Sequence, residues 1–193
     1  MNGSGRLACL IRVKRSSSAA ATSSPSRRYP AGRFGAAVRL ITERLPLPVV
    51  FTGGADEAEL IERAKRRCGD AVPLASLAGQ LSLGELGALI KQSALLITNN
   101  SGPAHIAAAL RTPVVDLYAL TNPQHTPWRT AARVLFHDVP CRNCFKSVCP
   151  EGHHGCLRGV AVPQVALAAL ELLAGGAQAA EPASRADSAL WAA

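Results

Sequence analysis

Aromatic side chains are scarce in this chain: two Trp, two Tyr and four Phe among 193 residues. Nucleic-acid-binding domains usually interleave aromatics with a basic patch on the folded surface. The basic charge here is placed differently. Residues 1–44 carry nine Lys or Arg against one acid, Glu43, while residues 45–193 carry twelve of each. The net charge of +8 thus belongs to the opening segment, and a solvated basic head fits it better than a nucleic-acid partner. Long apolar runs are also missing. None approaches the roughly 18–20 residues that span a bilayer. Leu7 to Val13 is short and broken by Arg12, which makes it a poor secretory leader. Without an export signal the cysteines are expected to stay reduced. There is no internal repeat, and no glycine-rich dinucleotide fingerprint follows a candidate strand, which weighs against an epimerase or related dinucleotide-type enzyme.

What is present is alternation. The length suits one domain with a sizeable core and is too short for two full ones. Residues 1–21 hold one candidate strand, Ala8 to Val13, before a basic, serine-rich stretch; disorder or an atypical start is expected there. Arg33 to Leu45 reads as an amphipathic helix with Phe34, Ala37, Val38 and Ile41 on one face. Pro48 to Thr52 reads as a strand, and Gly53-Gly54 as the turn into a helix over Asp56 to Cys68. Acids at Asp56, Glu57 and Glu59 suit the first turn of that helix; Lys65, Arg66 and Arg67 suit its last. Ser82 with Glu85 forms a capping-box pattern opening a helix to about Gln92. Pro113 to Leu120 reads as a strand and Val162 to Leu173 as a final helix, with a disordered tail expected over 174–193. Helices and strands at this spacing predict an α/β fold, a Rossmann-like parallel sheet with helices on both faces.

The most informative stretch runs from Ala94 to Trp128. ALLIT is a short apolar run without helical period, as expected of a strand buried on both faces. Asn99, Asn100, Ser101 and Gly102 break it with turn-forming residues, and Pro103 to Leu110 favours helix. A helix opening at the carboxyl end of a parallel strand presents free amides and a positive dipole end to an anion. His105 falls within its first turn or two, and phosphate is the natural guest. The plain alternative is an ordinary turn whose histidine caps or packs.

A second pattern is Cys141-x2-Cys144-x4-Cys149-x6-Cys156, with His153 and His154 between the last two. Four thiolates at such spacing could hold a tetrahedral zinc ion. Reduced packing cysteines in a local loop are the alternative, and no metal is the expectation.

ITNNSGPAHIAAAL followed by TPVVDLYALTNPQHTPW closely resembles the signature of glycosyltransferase family 9, the lipopolysaccharide heptosyltransferases and their relatives. SSPSRRYPAGRF, PVVFTGGADEAELIERA, LAGQLSLGELGALIKQSALLITNN and PCRNCFKSVCPEGHHGCL resemble further segments of that family in order. The resemblance covers Thr22 to Leu173 and implies the nucleotide-sugar-binding half of a two-domain GT-B architecture. It implies an inverting transfer of a heptose or related sugar from a nucleoside diphosphate, ADP-heptose by similarity, to a lipid-linked lipopolysaccharide core acceptor. No further cofactor is implied. An N-terminal domain would hold the acceptor and supply the catalytic base, so no catalytic residue is assigned in this chain, and turnover by it alone is expected to be poor. A cytoplasmic position, peripheral to the inner membrane, fits lipid-linked acceptors.

By the same resemblance Ser101, Gly102 and His105 contact the donor phosphates, with Asn100 where relatives often carry an acid. Thr22 and Ser23 supply hydroxyls and Arg27 a cation from the loop before Pro30. Glu57 is a candidate for the ribose hydroxyls, or else a charge at a helix start. Leu81 would line the base pocket or simply pack in the core. Thr121, Asn122, Gln124 and His125 could meet the sugar. The competing function is a zinc-stabilised binding or scaffold protein that keeps the fold without catalysis.

Overall fold

A computed structural model of the chain describes residues 9–12 (backbone only), 28–69, 72–119, 123–142, 144, 146 and 148–175. Six strands form one sheet: β1 (Cys9–Arg12), β2 (Val49–Gly53), β3 (Leu74–Ala78), β4 (Leu96–Asn99), β5 (Val114–Leu117) and β6 (Ala132–Leu135). Every pairing is parallel, and the strand order is β3-β2-β1-β4-β5-β6. Six helices accompany them: α1 (Ala31–Thr42), α2 (Ala58–Cys68), α3 (Leu83–Gln92), α4 (Gly102–Ala109), α5 (Gly155–Arg158) and α6 (Val162–Gly175).

The inner strands read as near-continuous apolar runs because both of their faces are covered. Val49, Phe51, Ile97, Val115 and Leu117 join the core under α1, α2 and α6. Val50, Leu96 and Val114 alternate with them and join Leu86, Ile90 and Ala107 of α3 and α4. Gly35 sets how closely α1 meets α2, since a methyl group at that position would collide with the Ala64 carbonyl. The Ser82–Glu85 capping box forms as its spacing predicts: Ser82 N–H and hydroxyl both donate to Glu85 Oε2, at 2.8 and 2.7 Å. These bonds hold the Glu85 carboxyl below its ordinary pKa.

The candidate strand Ala8 to Val13 is present as β1, Cys9–Arg12. These residues pair with β2 on one side and β4 on the other, and so lie in the middle of the sheet. Two rows of backbone hydrogen bonds hold β1, a gain that local composition cannot register. The rest of residues 1–21 lies outside the described residues, as does the tail over 176–193. β3, β6 and α5 have no counterpart in the sequence reading. The two strands are sheet edges with mostly half-buried or exposed residues, which blurs their pattern. Among the described residues no helix is long and apolar enough to cross a membrane.

This strand order reverses direction between β1 and β4. Open α/β sheets bind ligands in the crevice outside the strand carboxyl ends at such a reversal. Arg12, the last residue of β1, is in register with Thr98 of β4, so the two strands end side by side.

Candidate functional site at the sheet reversal

β4 ends at Asn99, and α4 begins three residues later at Gly102. Ser101 is extended (φ −162°), and its hydroxyl donates to the Asn99 carbonyl at 2.9 Å rather than capping the helix. Pro103 has no N–H to contribute. The first turn of α4 therefore keeps amide character uncapped by side chains, the condition in which a helix start attracts anions. Gly102 is exposed, and a Cβ built there would meet no protein atom within 4 Å. His105 is exposed one turn further on, while Ala104 and Ala107 are buried and seat the helix on the sheet. The corner is open.

Its other wall comes from the segment before α1. Tyr29 N–H donates to Asn99 Oδ1 at 2.8 Å, and Tyr29 hydroxyl donates to the Val160 carbonyl at 3.0 Å. The ring packs edge-on against Phe34. Burial raises the Tyr29 pKa, against the opposing pull of the Arg33 charge and its hydrogen bond. The exit of the β1–α1 connection is thereby fixed beside the end of β4. Thr22, Ser23 and Arg27 lie in that connection but outside the described residues. Asn99 and Asn100 are both buried, and the side-chain nitrogen of each lacks a hydrogen-bond partner. An unmet buried donor costs about 1–3 kcal/mol, which an arriving acceptor can recover.

The family description glycosyltransferase family 9 (heptosyltransferase) matches residues 17–154, well over half of the chain. The chain belongs to this family. Lipopolysaccharide heptosyltransferase 3 of Escherichia coli K12 is 42% identical over 83 residues, which are 42% of this chain and 23% of that protein. A family 9 glycosyltransferase structure from Veillonella parvula superposes with a TM-score of 0.67 at 32% identity, covering 86% of this chain and 46% of its own. The structure of E. coli ADP-heptose lipopolysaccharide heptosyltransferase II gives 0.68 at 24% identity, with 89% and 48% covered. This family 9 chain thus spans about half the length of the solved GT-B relatives it matches.

The remaining site candidates spread along the same carboxyl edge. Glu57 follows β2 and is buried (4% exposed); its Oε2 accepts from Gly54 N–H at 2.6 Å, closing the turn into α2. Leu81 follows β3 and packs on the α3–α4 side of the core. Gln124 and His125 are exposed in a short 3-10 turn, Pro123–His125; Thr121 and Asn122 lie outside the described residues. Asn100, Ser101, Gly102 and His105 are therefore the group brought together.

Cys141, Cys144, Cys149 and Cys156 are half-buried. Cys141 Sγ and His153 Nε2 lie 3.6 Å apart, and His153 Nδ1 accepts from Gly155 N–H at 2.7 Å. Among the described residues no three His, Cys, Asp or Glu side chains are placed to hold a metal ion. Cys141, Cys144 and Cys149 precede α5, and Cys156 lies within it.

Two features escaped the sequence reading of this family 9 chain. Asp116 of β5 is fully buried, neither carboxylate oxygen has a hydrogen-bond partner, and burial pushes its pKa up to about 8. An acid inside the apolar run PVVDLYAL was the available signal. His154 holds a left-handed backbone (φ 49°), and its Nδ1 is buried without a hydrogen-bond partner. Burial lowers its pKa first, followed by the charges of Arg158, His153 and Arg28. The sequence names His154 only beside the cysteine pattern, and its backbone conformation and buried Nδ1 are not marked there.

Proposed function

We propose that this chain is the donor-binding half of a GT-B heptosyltransferase, holding ADP-heptose or a related nucleoside-diphosphate sugar at the reversal between β1 and β4. The open corner at Gly102, with His105 exposed beside it, is the observation that carries this reading. The name of the E. coli relative, an ADP-heptose lipopolysaccharide heptosyltransferase, supports the choice of donor. The donor domain runs over residues 22–173 with β1 added to it.

The donor diphosphate lies against the start of α4, contacted by Ser101, Gly102 and His105, with Asn100 behind them. Thr22, Ser23 and Arg27 approach it from the β1–α1 connection. As the bond from the anomeric carbon to the diphosphate breaks, negative charge grows on the departing oxygen. Donors aimed at that charge stabilise the transition state more than the bound substrate. Attack by an acceptor hydroxyl from the opposite face inverts the anomeric carbon. The acceptor, a lipid-linked core saccharide, and the base that takes its proton belong to a second domain. Such an enzyme works at the cytoplasmic face of the inner membrane.

Calorimetric titration with ADP, set against UDP and GDP, tests the reading. ADP should bind, and His105→Ala should weaken it about tenfold, the loss of one charge-assisted contact. Absence of ADP binding, or equal binding by His105→Ala, would overturn it.

A further inference from the structure

The connection that leaves β6 folds back against the start of α5. His137 N–H donates to the Cys156 carbonyl at 2.8 Å. Val139 Cγ1 stands 3.3 Å from where a Cβ on Gly155 would lie. The fold-back brings the Cys141 sulfur to 3.6 Å from His153 Nε2, within hydrogen-bond reach of an atom as large as sulfur. The other ring nitrogen is already engaged, since Nδ1 accepts from Gly155 N–H at 2.7 Å. A neutral imidazole whose Nδ1 accepts carries its proton on Nε2, so an N–H faces the sulfur. The sulfur is thereby cast as an acceptor, the role of a thiolate rather than of a thiol. Gly155 leaves room for this ring position: a Cβ there would stand only 3.1 Å from Nδ1. Cys141 is half-buried and His153 exposed, so a small reagent can reach the pair. Cys144 and Cys149 precede α5 in the same connection, and among the described residues neither has a histidine at hydrogen-bond distance.

We propose that Cys141 and His153 form a nucleophilic thiol–imidazole pair, a modification site that takes a low-molecular-weight disulfide of the glutathione class. The Cys141 thiolate, held by the Nε2–H, attacks one sulfur of the reagent. A sulfur–sulfur bond forms to Cys141 while the reagent's own sulfur–sulfur bond breaks. The departing thiolate takes a proton from water, matching the proton that the Cys141 thiol released. Cys141 is oxidised to a mixed disulfide and half of the reagent is reduced to a thiol, so no further oxidant enters. The step needs no nucleotide and stands apart from the donor site.

The test is a time course on the full chain, reduced and then freed of reductant, with oxidised glutathione at pH 7. Peptide mass mapping follows the adduct at each cysteine. Cys141 should be modified about tenfold faster than Cys144 and Cys149, the advantage of a sulfur held as thiolate. His153→Ala should bring Cys141 down to the rate of those two. His153→Gln, which keeps an N–H of similar reach, should retain part of the advantage, and Gly155→Ala, which crowds the ring, should reduce it. Buried Cys68 should stay unmodified throughout, which shows that each variant remains folded. Cys141 reacting no faster than Cys144 and Cys149, or equally fast in wild type and His153→Ala, overturns the pair. So does a Cys141 that reacts only after a chelator is added, since its sulfur would then be a metal ligand.

Discussion

Tyr29 N–H reaches Asn99 Oδ1 at 2.8 Å across a separation of seventy residues, and this bond ties the β1–α1 connection to the end of β4. The two halves of the crevice wall are thus set by one amide side chain, buried and directly below the open corner. Asn99→Ala leaves the Tyr29 N–H unmet in the interior. Loss of about 1–2 kcal/mol of stability is expected, read as a lower denaturant midpoint with unchanged slope. On the proposed donor site ADP affinity should drop with it, because Tyr29 loses its tie to the end of β4.

Gly102 separates stability from binding. Since a Cβ there meets only open space, Gly102→Ala should leave the melting temperature within a degree or two, about the scatter of neutral surface changes. On the proposed donor site the added methyl group would stand where the diphosphate approaches, so ADP affinity should fall all the same. Unaltered ADP affinity in Gly102→Ala would move the ligand away from the helix start.

Asp116 gives the fold a pH dependence of known sign. Its pKa is raised from 3.8 to about 8 in the folded chain, so between these values the folded state keeps a proton that the unfolded state has released. The associated stability is fully present below the unfolded value and is lost as pH rises through the folded one. Asp116→Asn, neutral and of similar shape, should remove most of this slope. Melting curves at pH 5 and pH 8 should show the variant gaining over the wild type mainly at the higher pH.

The cysteines should differ in reactivity. Cys68 is buried, its Sγ donates to the Ala64 carbonyl at 3.4 Å, and burial pushes its thiol up to about 12. Alkylation of the native protein at pH 8, followed by peptide mass mapping, should modify Cys141, Cys144, Cys149 and Cys156 well before Cys68.

How much of this was readable in the sequence depended on whether its cause was local. The helix over 58–68 carries acids at one end and bases at the other, and the 82–85 capping box uses two residues three apart. Both were legible, as was the turn at Asn99–Gly102, because turn residues and proline act on their own backbone. β1 was legible as the candidate strand Ala8 to Val13, but its central place was not, since that is set by partners on both sides. β3 and β6 lacked clear alternation because an edge strand buries too little of either face. Glu57 reads from the sequence as a ribose contact or a charge at a helix start, and its bond to Gly54 N–H is a matter of side-chain geometry that the sequence does not carry. The Tyr29–Asn99 bond joins segments whose distance along the chain exceeds any sequence window.

The central position of β1 makes the fold vulnerable in one place. It is the ribbon that stitches the β2–β3 pair to the β4–β6 trio. A polypeptide shortened past Arg12 would expose two unzipped inner edges, each a ready template for pairing with another molecule. Clumping, rather than simple loss of ligand, would be its characteristic failure.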